Sequence, residues 1–361
     1  TPIEKLRERI QFDVKCRNSA TNTKFAWRQA ETVPQLRQYQ KDAIAATLRA
    51  PNRSLTIVMP CGSGKTLAAI GLVIEECAEF SDCLLDGCLL VVAHGNNSAM
   101  QWVKTFLEYT TLEAHQICLV NDVDKTFYSK AKTRVVIGTL QMLTRRSPNE
   151  IVRMLQRAQF KRCILDECHT VPTDQFGEIL KWQCSTWSAL TASPLRADGA
   201  FGRLRDVVGE EDSPERWATL ERGGFIAPMR IALVECPLPA SWEVAWTHAL
   251  EQKDTSLCER IELYNPSKLV FLEQLLRHWG WGKVDQTDAP TTLIFVDTLE
   301  LLGLVASRFH IPALSGVTPF EERESMYEQL RNQEKKFVVV SRCGDVGVDL
   351  PPVKRMVQLD A

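Results

Sequence analysis

A glycine-rich segment directly after a short apolar run constrains this chain more than any other feature. The run is Leu55-Thr56-Ile57-Val58, and the segment is Met59-Pro60-Cys61-Gly62-Ser63-Gly64-Lys65-Thr66. Its glycines let the backbone curl so that amides point at phosphate oxygens, and a helix beginning there favours anions. Lys65 would reach the terminal phosphates, and the Thr66 hydroxyl would bind magnesium. Because the segment lies between a strand-like run and an apolar helical run, a chance turn is a poor explanation.

A second segment, Leu165-Asp166-Glu167-Cys168-His169, supplies complementary acidic chemistry. The apolar run before it would carry Asp166 to the carboxyl edge of a sheet, where it can hold Mg²⁺ through water. Glu167 would orient and deprotonate the attacking water. One Asp-Glu pair alone is usually a solvated turn, but the upstream phosphate-binding segment favours ATP hydrolysis. We interpret His169 as a hydrogen-bonding link to Thr191-Ala192-Ser193 rather than as a metal ligand beside Cys168.

Apolar strand-like runs alternate with longer amphipathic segments along most of the chain. The runs are residues 55–58, 89–93, 117–120, 135–137, 163–165, 188–191 and 229–234. This alternation predicts the α/β class, with parallel sheets covered by helices on both faces. A second series starts at residue 292 and stops after about four strands, so we expect a second lobe that is incomplete.

The expected domain organisation has four parts. It comprises an N-terminal lead-in over residues 1–35, a first lobe over 36–236, a short helical insert over 237–265 and a second lobe over 266–361. The insert is predicted because Pro237, Pro239, Trp242 and Trp246 interrupt the strand–helix alternation.

Composition fits two globular domains without a membrane span. The 361 residues are 45% hydrophobic and 24% charged, with a net charge of -2 that indicates no global attraction to nucleic acid. The 12 cysteines include no CxxC pair, and Cys83 and Cys88 near His94 make a poor zinc pattern, so we expect reduced thiols and a reducing compartment. Residue 1 is Thr rather than Met, which leaves a lost targeting peptide, including an organellar one, open.

The ordered series of motifs resembles that of superfamily-two helicases, and within them the XPB family of DNA helicases and translocases. The similar segments are Leu36-Arg37-Gln38-Tyr39-Gln40, the phosphate-binding segment with its Pro60-Cys61-Gly62, and residues 165–172, 223–228, 234–237 and 341–351. The resemblance runs from about residue 36 to the C-terminus. It implies two RecA-like P-loop NTPase lobes with a thumb-like insert between them.

The resemblance also implies roles for individual residues. The catalytic residues would be Lys65, Asp166, Glu167 and His169, and Thr66 and Asp166 would hold Mg²⁺. The ATP-binding residues would be Arg37, Gln40 (the base contact), Pro60, Cys61, Gly62, Ser63, Gly64, Lys65, Thr66, Gly344, Asp345 and Asp349. The contacts to the tracked nucleic-acid strand would be Gly95, Asn96, Gln101, Thr139, Arg196, Asp297, Thr298, Ser315 and Gly316.

The function implied by the resemblance is an ATP- and Mg²⁺-dependent helicase or translocase that tracks 3′ to 5′ on DNA. It would act in transcription initiation or nucleotide excision repair, within a multiprotein complex such as TFIIH, and in the nucleus if the source is eukaryotic. RNA stays open as a substrate, because contacts that track a backbone are similar for both nucleic acids.

Three departures from the family pattern keep alternatives open. Arg196-Ala197-Asp198 stands where the family has Arg-Glu-Asp, the N-terminal damage-recognition-like region of full-length relatives is not evident, and the sequence stops before the sixth motif and its arginines. The first and third of these favour an ATP-binding assembly or scaffold factor that acts on a ribonucleoprotein with little or no turnover. Cys168 also stands where Val is usual. Lys65, Asp166 and Glu167 argue against a pure scaffold. A P-loop ATPase unrelated to nucleic acid is a third alternative.

Overall fold

The computed structural model describes residues 25–28, 33–79, 88–121, 133–145, 148–170, 177–192, 211–212, 217–283, 288–341 and 353–359. The chain divides into two compact units, and the boundary lies between Met229 and Arg230. Each unit contains a sheet whose neighbouring strands are all parallel. The predicted fold class, two parallel-sheet α/β lobes, is therefore confirmed.

The first unit contains a 7-stranded sheet in the order β3-β4-β2-β5-β6-β1-β7. Its strands are β1 (Leu55–Val58), β2 (Cys88–Ala93), β3 (Ile117–Val120), β4 (Val135–Thr139), β5 (Phe160–Leu165), β6 (Cys184–Thr191) and β7 (Glu211–Asp212). Its helices are α1 (Gln38–Arg49), α2 (Lys65–Glu79), α3 (Asn96–Tyr109), α4 (Leu140–Leu143), α5 (Glu150–Gln156) and α6 (Trp217–Arg222).

Helices cover both faces of this sheet, which is why its strands are continuous apolar runs. Along β2, Leu89 and Val91 belong to a core shared with α1, α2 and α3. The alternate residues Leu90 and Val92 belong to a second core, shared with α4 and α5. Successive side chains of a strand point to opposite faces, so a strand between two helical layers needs apolar residues at every position.

The second unit contains a 4-stranded sheet in the order β11-β8-β10-β9. Its strands are β8 (Thr291–Phe295), β9 (Ala313–Leu314), β10 (Phe337–Val340) and β11 (Val353–Gln358). Its helices are α7 (Ala240–Glu251), α8 (Thr255–Leu263), α9 (Pro266–His278), α10 (Leu299–Phe309) and α11 (Phe320–Arg331). Helices α9 and α10 pack on one face and α11 on the other, while α7 and α8 pack on each other around Ala249, Cys258 and Ile261.

The strand predicted over residues 229–234 is wrong. This segment is irregular, and its apolar side chains are exposed, Ile231 by 83% and Leu233 by 88%. Alternating apolar residues favour a strand only where a neighbouring strand completes the hydrogen-bond ladder, and no described strand pairs with this segment. In the described part of the chain, no helix combines the length and apolarity needed to cross a membrane.

Candidate functional site

The predicted catalytic residues of the first unit gather at the carboxyl edge of its sheet. The phosphate-binding segment follows β1, and Asp166 and Glu167 follow β5. The Met59 amide donates to the Thr191 carbonyl over 2.9 Å, and the Asp166 amide donates to the Val92 carbonyl over 2.9 Å. These bonds extend the strand ladders by one residue, so the sheet itself fixes where both motifs begin.

The phosphate-binding segment forms a tight loop that ends in α2. Gly62 and Gly64 have φ values of 76° and 85°, in the left-handed region that other residues rarely adopt. The Ser63 hydroxyl donates to the Pro60 carbonyl over 2.6 Å, which closes the loop from inside. A side-chain atom added at Gly62 would meet no atom within 4 Å, so the loop borders open space. Lys65 and Thr66 form the first turn of α2, where the helix dipole favours an anion.

Gln40, the predicted base contact, is bound to this loop. Its Nε2 donates to the carbonyls of Ser63 and Gly64 over 3.0 and 3.2 Å, and its Oε1 accepts from the Arg37 amide over 2.8 Å. The neighbouring Tyr39 hydroxyl also donates to the Ser63 carbonyl, over 2.7 Å. Gln40 and Tyr39 therefore position the loop. The contact to a base stays a prediction.

Arg37 lies beside an aromatic residue from a later motif. Its guanidinium stands over the Phe225 ring at 4.7 Å from the centroid, and its Nη1 donates to the Tyr39 hydroxyl over 3.0 Å. Sequence reasoning assigned no role to Tyr39 or Phe225. Both lie within segments that resemble the helicase family, and that was the only signal the sequence carried.

The carboxylate of Asp166 is held by two side chains of α3. Its Oδ2 accepts from the Ser98 hydroxyl over 2.7 Å and from the Trp102 indole N–H over 2.8 Å. Its Oδ1 accepts from the Glu167 amide over 3.1 Å. The sequence did not reveal Ser98 and Trp102 as partners, although their spacing of one helical turn puts them on one face of α3.

Glu167 lies between a cation and a histidine. Its carboxylate is 3.4 Å from the Lys65 ammonium through Oε1 and 3.4 Å from His169 Nδ1 through Oε2. His169 Nδ1 is also 2.9 Å from the Thr191 hydroxyl, so the predicted hydrogen-bonding link from His169 to the segment that begins at Thr191 is present. Glu167 has a φ of 47°, a left-handed conformation that costs free energy in a residue with a side chain.

This set of residues fits a magnesium nucleotide. The Asp166 carboxylate and the Thr66 hydroxyl provide the hard oxygen ligands that Mg²⁺ prefers. The loop at Gly62–Gly64 and the start of α2 offer amides, and Lys65, only 9% exposed, adds a positive charge.

The predicted nucleic-acid contacts lie at the carboxyl ends of other strands. After β2, Gly95 precedes α3 and Asn96 is its first residue, whereas Gln101 is exposed on its surface. Thr139 ends β4 and is buried. In the second unit, Asp297 and Thr298 follow β8, and Ser315 and Gly316 follow β9. Each unit therefore has its own group of these residues at one sheet edge.

Some local interactions of these residues are structural. The Thr298 hydroxyl accepts from the Leu301 amide over 3.2 Å and caps α10, and the Ser315 amide donates to the Thr318 hydroxyl over 3.0 Å.

Six residues named in the sequence analysis lie outside the described residues: Cys83, Ser193, Arg196, Gly344, Asp345 and Asp349. Within the described residues, no group of three or more His, Cys, Asp or Glu side chains could hold a metal ion. Cys88, a member of the zinc pattern considered in the sequence, donates its thiol hydrogen to the Thr133 carbonyl over 3.2 Å.

Comparisons with known proteins match this architecture. Residues 34–196 match the family model of the type III restriction enzyme res subunit, and residues 220–361 match that of the ERCC3/RAD25/XPB C-terminal helicase. The solved structure of Saccharomyces cerevisiae Dbp5 bound to RNA and ADP BeF3 covers 90% of this chain and 74% of its own, with 16% identity and a TM-score of 0.60. That likeness concerns the fold.

Two curated relatives are similar over most of the chain. The TFIIH basal transcription factor complex helicase/translocase XPB subunit of Trypanosoma brucei brucei is 28% identical over 84% of this chain and 33% of its own length. The DNA 3'-5' helicase XPB of Kineococcus radiotolerans is 26% identical over 90% of this chain and 54% of its own length. The chain thus spans about a third to a half of these relatives.

The two parallel-sheet units and these matches are those of a helicase-like α/β core. Residues 220–361 match the XPB helicase family, and the two curated relatives that are similar over most of the chain are XPB proteins.

Proposed function

We propose that this protein is an ATP-dependent DNA translocase or helicase that moves 3′ to 5′ and acts in transcription initiation or nucleotide excision repair. The names of the trypanosome and bacterial relatives support DNA, the polarity and the setting. We also propose that it works within a multiprotein complex of the TFIIH type, in the nucleus if the source is eukaryotic. The lead-in, lobe and insert boundaries predicted from the sequence remain part of this proposal.

The observation that carries the proposal is the connected set of side chains around Glu167. Lys65, Glu167, His169 and Thr191 form a continuous series of contacts of 3.4 Å or less from the phosphate-binding loop to the end of β6. Such a series can relay the state of the terminal phosphate to the segment that begins at Thr191. A scaffold that only binds nucleotide needs the loop but not this relay.

The residues would share the work as follows. The loop amides and Lys65 would bind the phosphates, and Thr66 and Asp166 would hold Mg²⁺, which neutralises charge on the phosphate oxygens. Glu167 would orient the attacking water and accept its proton. Gly344, Asp345 and Asp349 would contribute from the second unit. Gly95, Asn96, Gln101, Thr139, Arg196, Asp297, Thr298, Ser315 and Gly316 would contact the tracked backbone.

ATP turnover with and without nucleic acid tests this proposal in the full-length protein. We expect single-stranded DNA to stimulate hydrolysis, and we expect Glu167→Gln to lower kcat at least a hundredfold, about the lower bound for a general base, while nucleotide still binds. The matched control is Glu178→Gln, which changes an exposed Glu paired with Lys181 and should hydrolyse ATP normally.

Other outcomes are equally clear. Tight ATP binding without turnover in any nucleic acid would contradict the motor and favour the scaffold alternative. Stimulation by RNA but not by DNA would contradict the proposed substrate. The polarity is tested by displacement of a triplex-forming strand from either end of a duplex, and displacement from the 5′ end alone would refute 3′-to-5′ movement.

A further inference from the structure

Helix α3 contacts the carboxylate of Asp166, the predicted magnesium ligand, and follows the loop that is predicted to contact the nucleic-acid strand. Gly95 directly precedes the helix and Asn96 is its first residue, and the proposed function assigns both to the nucleic-acid backbone. The Ser98 hydroxyl in the first turn and the Trp102 indole N–H in the second turn each donate one hydrogen bond to Asp166 Oδ2. The first two turns of α3 therefore reach from the loop to the carboxylate.

The two oxygens of the Asp166 carboxylate differ in how they are hydrogen-bonded. Two donors at 2.7 and 2.8 Å occupy the lone pairs of Oδ2, whereas Oδ1 accepts one hydrogen bond from the described part of the chain, from the Glu167 amide at 3.1 Å. Carboxylate oxygens each accept about two hydrogen bonds, so Oδ1 keeps capacity for a further ligand. Ser98 and Trp102 thereby determine that Oδ1, rather than Oδ2, of Asp166 is available to a metal ion.

Helix α3 is well suited to transmit a displacement. Ser98 and Trp102 are 5% and 1% exposed, and Ala99, Val103 and Phe106 complete a packed face in the core beneath the sheet. A close-packed helix moves as one body, because its interior contacts resist local deformation. A small shift of its first turn therefore changes both bonds to Asp166 together.

We propose that Ser98 and Trp102 are positioning residues that orient Asp166 for Mg²⁺, and that through them α3 couples the nucleic-acid strand to the magnesium nucleotide. The proposal rests on the proposed function for its strand half. The coupling is reciprocal: a strand bound at the start of α3 favours the metal-ready orientation of Asp166, and the bound magnesium nucleotide favours the strand.

Equilibrium binding in the full-length protein tests both halves without relying on turnover. The first readout is the affinity for fluorescent ADP with and without Mg²⁺. The second is the affinity for single-stranded DNA with and without the non-hydrolysable analogue AMP-PNP and Mg²⁺. The variants are Trp102→Phe, which removes the indole N–H, and Ser98→Ala, which removes only a hydroxyl. The control is Phe106→Leu, a buried change on the same helix without a bond to Asp166.

We expect the gain in ADP affinity from Mg²⁺ to fall about ten- to hundredfold in both variants, as for partners of other metal-holding carboxylates. ADP affinity without Mg²⁺ and DNA affinity without nucleotide should match those of the control. The ratio of DNA affinities with and without the magnesium nucleotide should fall towards one.

The outcomes separate the two proposals. A normal Mg²⁺ response in Ser98→Ala and Trp102→Phe would overturn the positioning role, and an unchanged DNA ratio would overturn the coupling. If Phe106→Leu shows the same losses, the effects belong to packing and the inference fails. Wild-type protein that never binds DNA would refute the proposed function and the coupling together, while the Mg²⁺ response would still decide the positioning role.

Discussion

Substitution of Arg162 by Met should strongly destabilise the first unit, because it leaves a buried carboxylate without its cation. Arg162 on β5 is 1% exposed, and its partner Glu76 on α2 is 3% exposed. The guanidinium donates to both oxygens of Glu76 over 2.9 and 3.0 Å, to the Ser188 hydroxyl over 2.6 Å and to the Arg53 carbonyl over 3.0 Å. The pair ties the far part of α2 to the strand that leads to Asp166.

The expected cost is about 3–5 kcal/mol, the usual range when one partner of a buried ion pair is removed. That is a large share of the roughly 5–15 kcal/mol that stabilises a typical domain. Combining Arg162→Met with Glu76→Leu should restore much of the loss, because the second change removes the unpaired charge and fills similar space. The double variant should therefore be more stable than Arg162→Met alone.

Hydrogen exchange measured by mass spectrometry on peptides from β5 and α2 is the appropriate assay, since it reports on the first unit separately. Arg277→Met is the control. Its guanidinium is paired with Glu273 on the exposed surface of α9 and should matter little. Unchanged exchange in Arg162→Met would refute the reasoning. So would a double variant that loses the sum of the two single losses, because the loss would then come from packing rather than from an unpaired charge.

Two further predictions concern a thiol and a backbone strain. Exposed Cys61 should react with iodoacetamide at pH 8 and be protected by nucleotide, whereas Cys118 should not react, because burial, and secondarily Cys88, raise its pKa to about 12. Mass spectrometry locates the label, and equal labelling of both would contradict the burial argument. Lys253 follows α7 with a φ of 58°, so Lys253→Gly should stabilise that helix by about 1 kcal/mol. Lys253→Ala should not, and slowed hydrogen exchange in α7 is the check.

Apolar patterning predicted the parallel-sheet class and the longer strands, because strands between two helical layers need apolar residues throughout, but it missed the two-residue strands β7 and β9. Residues 55–58 and 117–120 are strands with the predicted limits. The same logic failed for residues 229–234, where the pattern is present and the neighbouring strand is not. Strand propensity records what a segment could bury, whereas pairing depends on distant parts of the chain.

The candidate site was predictable in its motifs but not in its connections. The sequence places Asp166 after a strand, yet its bonds to Ser98 and Trp102 span 68 and 64 residues, and no local pattern encodes them. Gln40 was expected to meet a base, and the structure shows its amide bound to the phosphate-binding loop. Side-chain hydrogen bonds depend on the packed tertiary structure, so the sequence names the participants more reliably than their partners.

The contact between Lys65 and Glu167 has a consequence for the interpretation of trapped complexes. The Lys65 ammonium lies 3.4 Å from the Glu167 carboxylate, so a triphosphate bound at the loop would compete with this carboxylate for the same cation. Glu167→Gln would remove this competing negative charge as well as the general base. The variant would therefore bind ATP more tightly even before hydrolysis becomes possible. Nucleotide affinities measured on this variant would thus exceed the affinity of the wild-type protein.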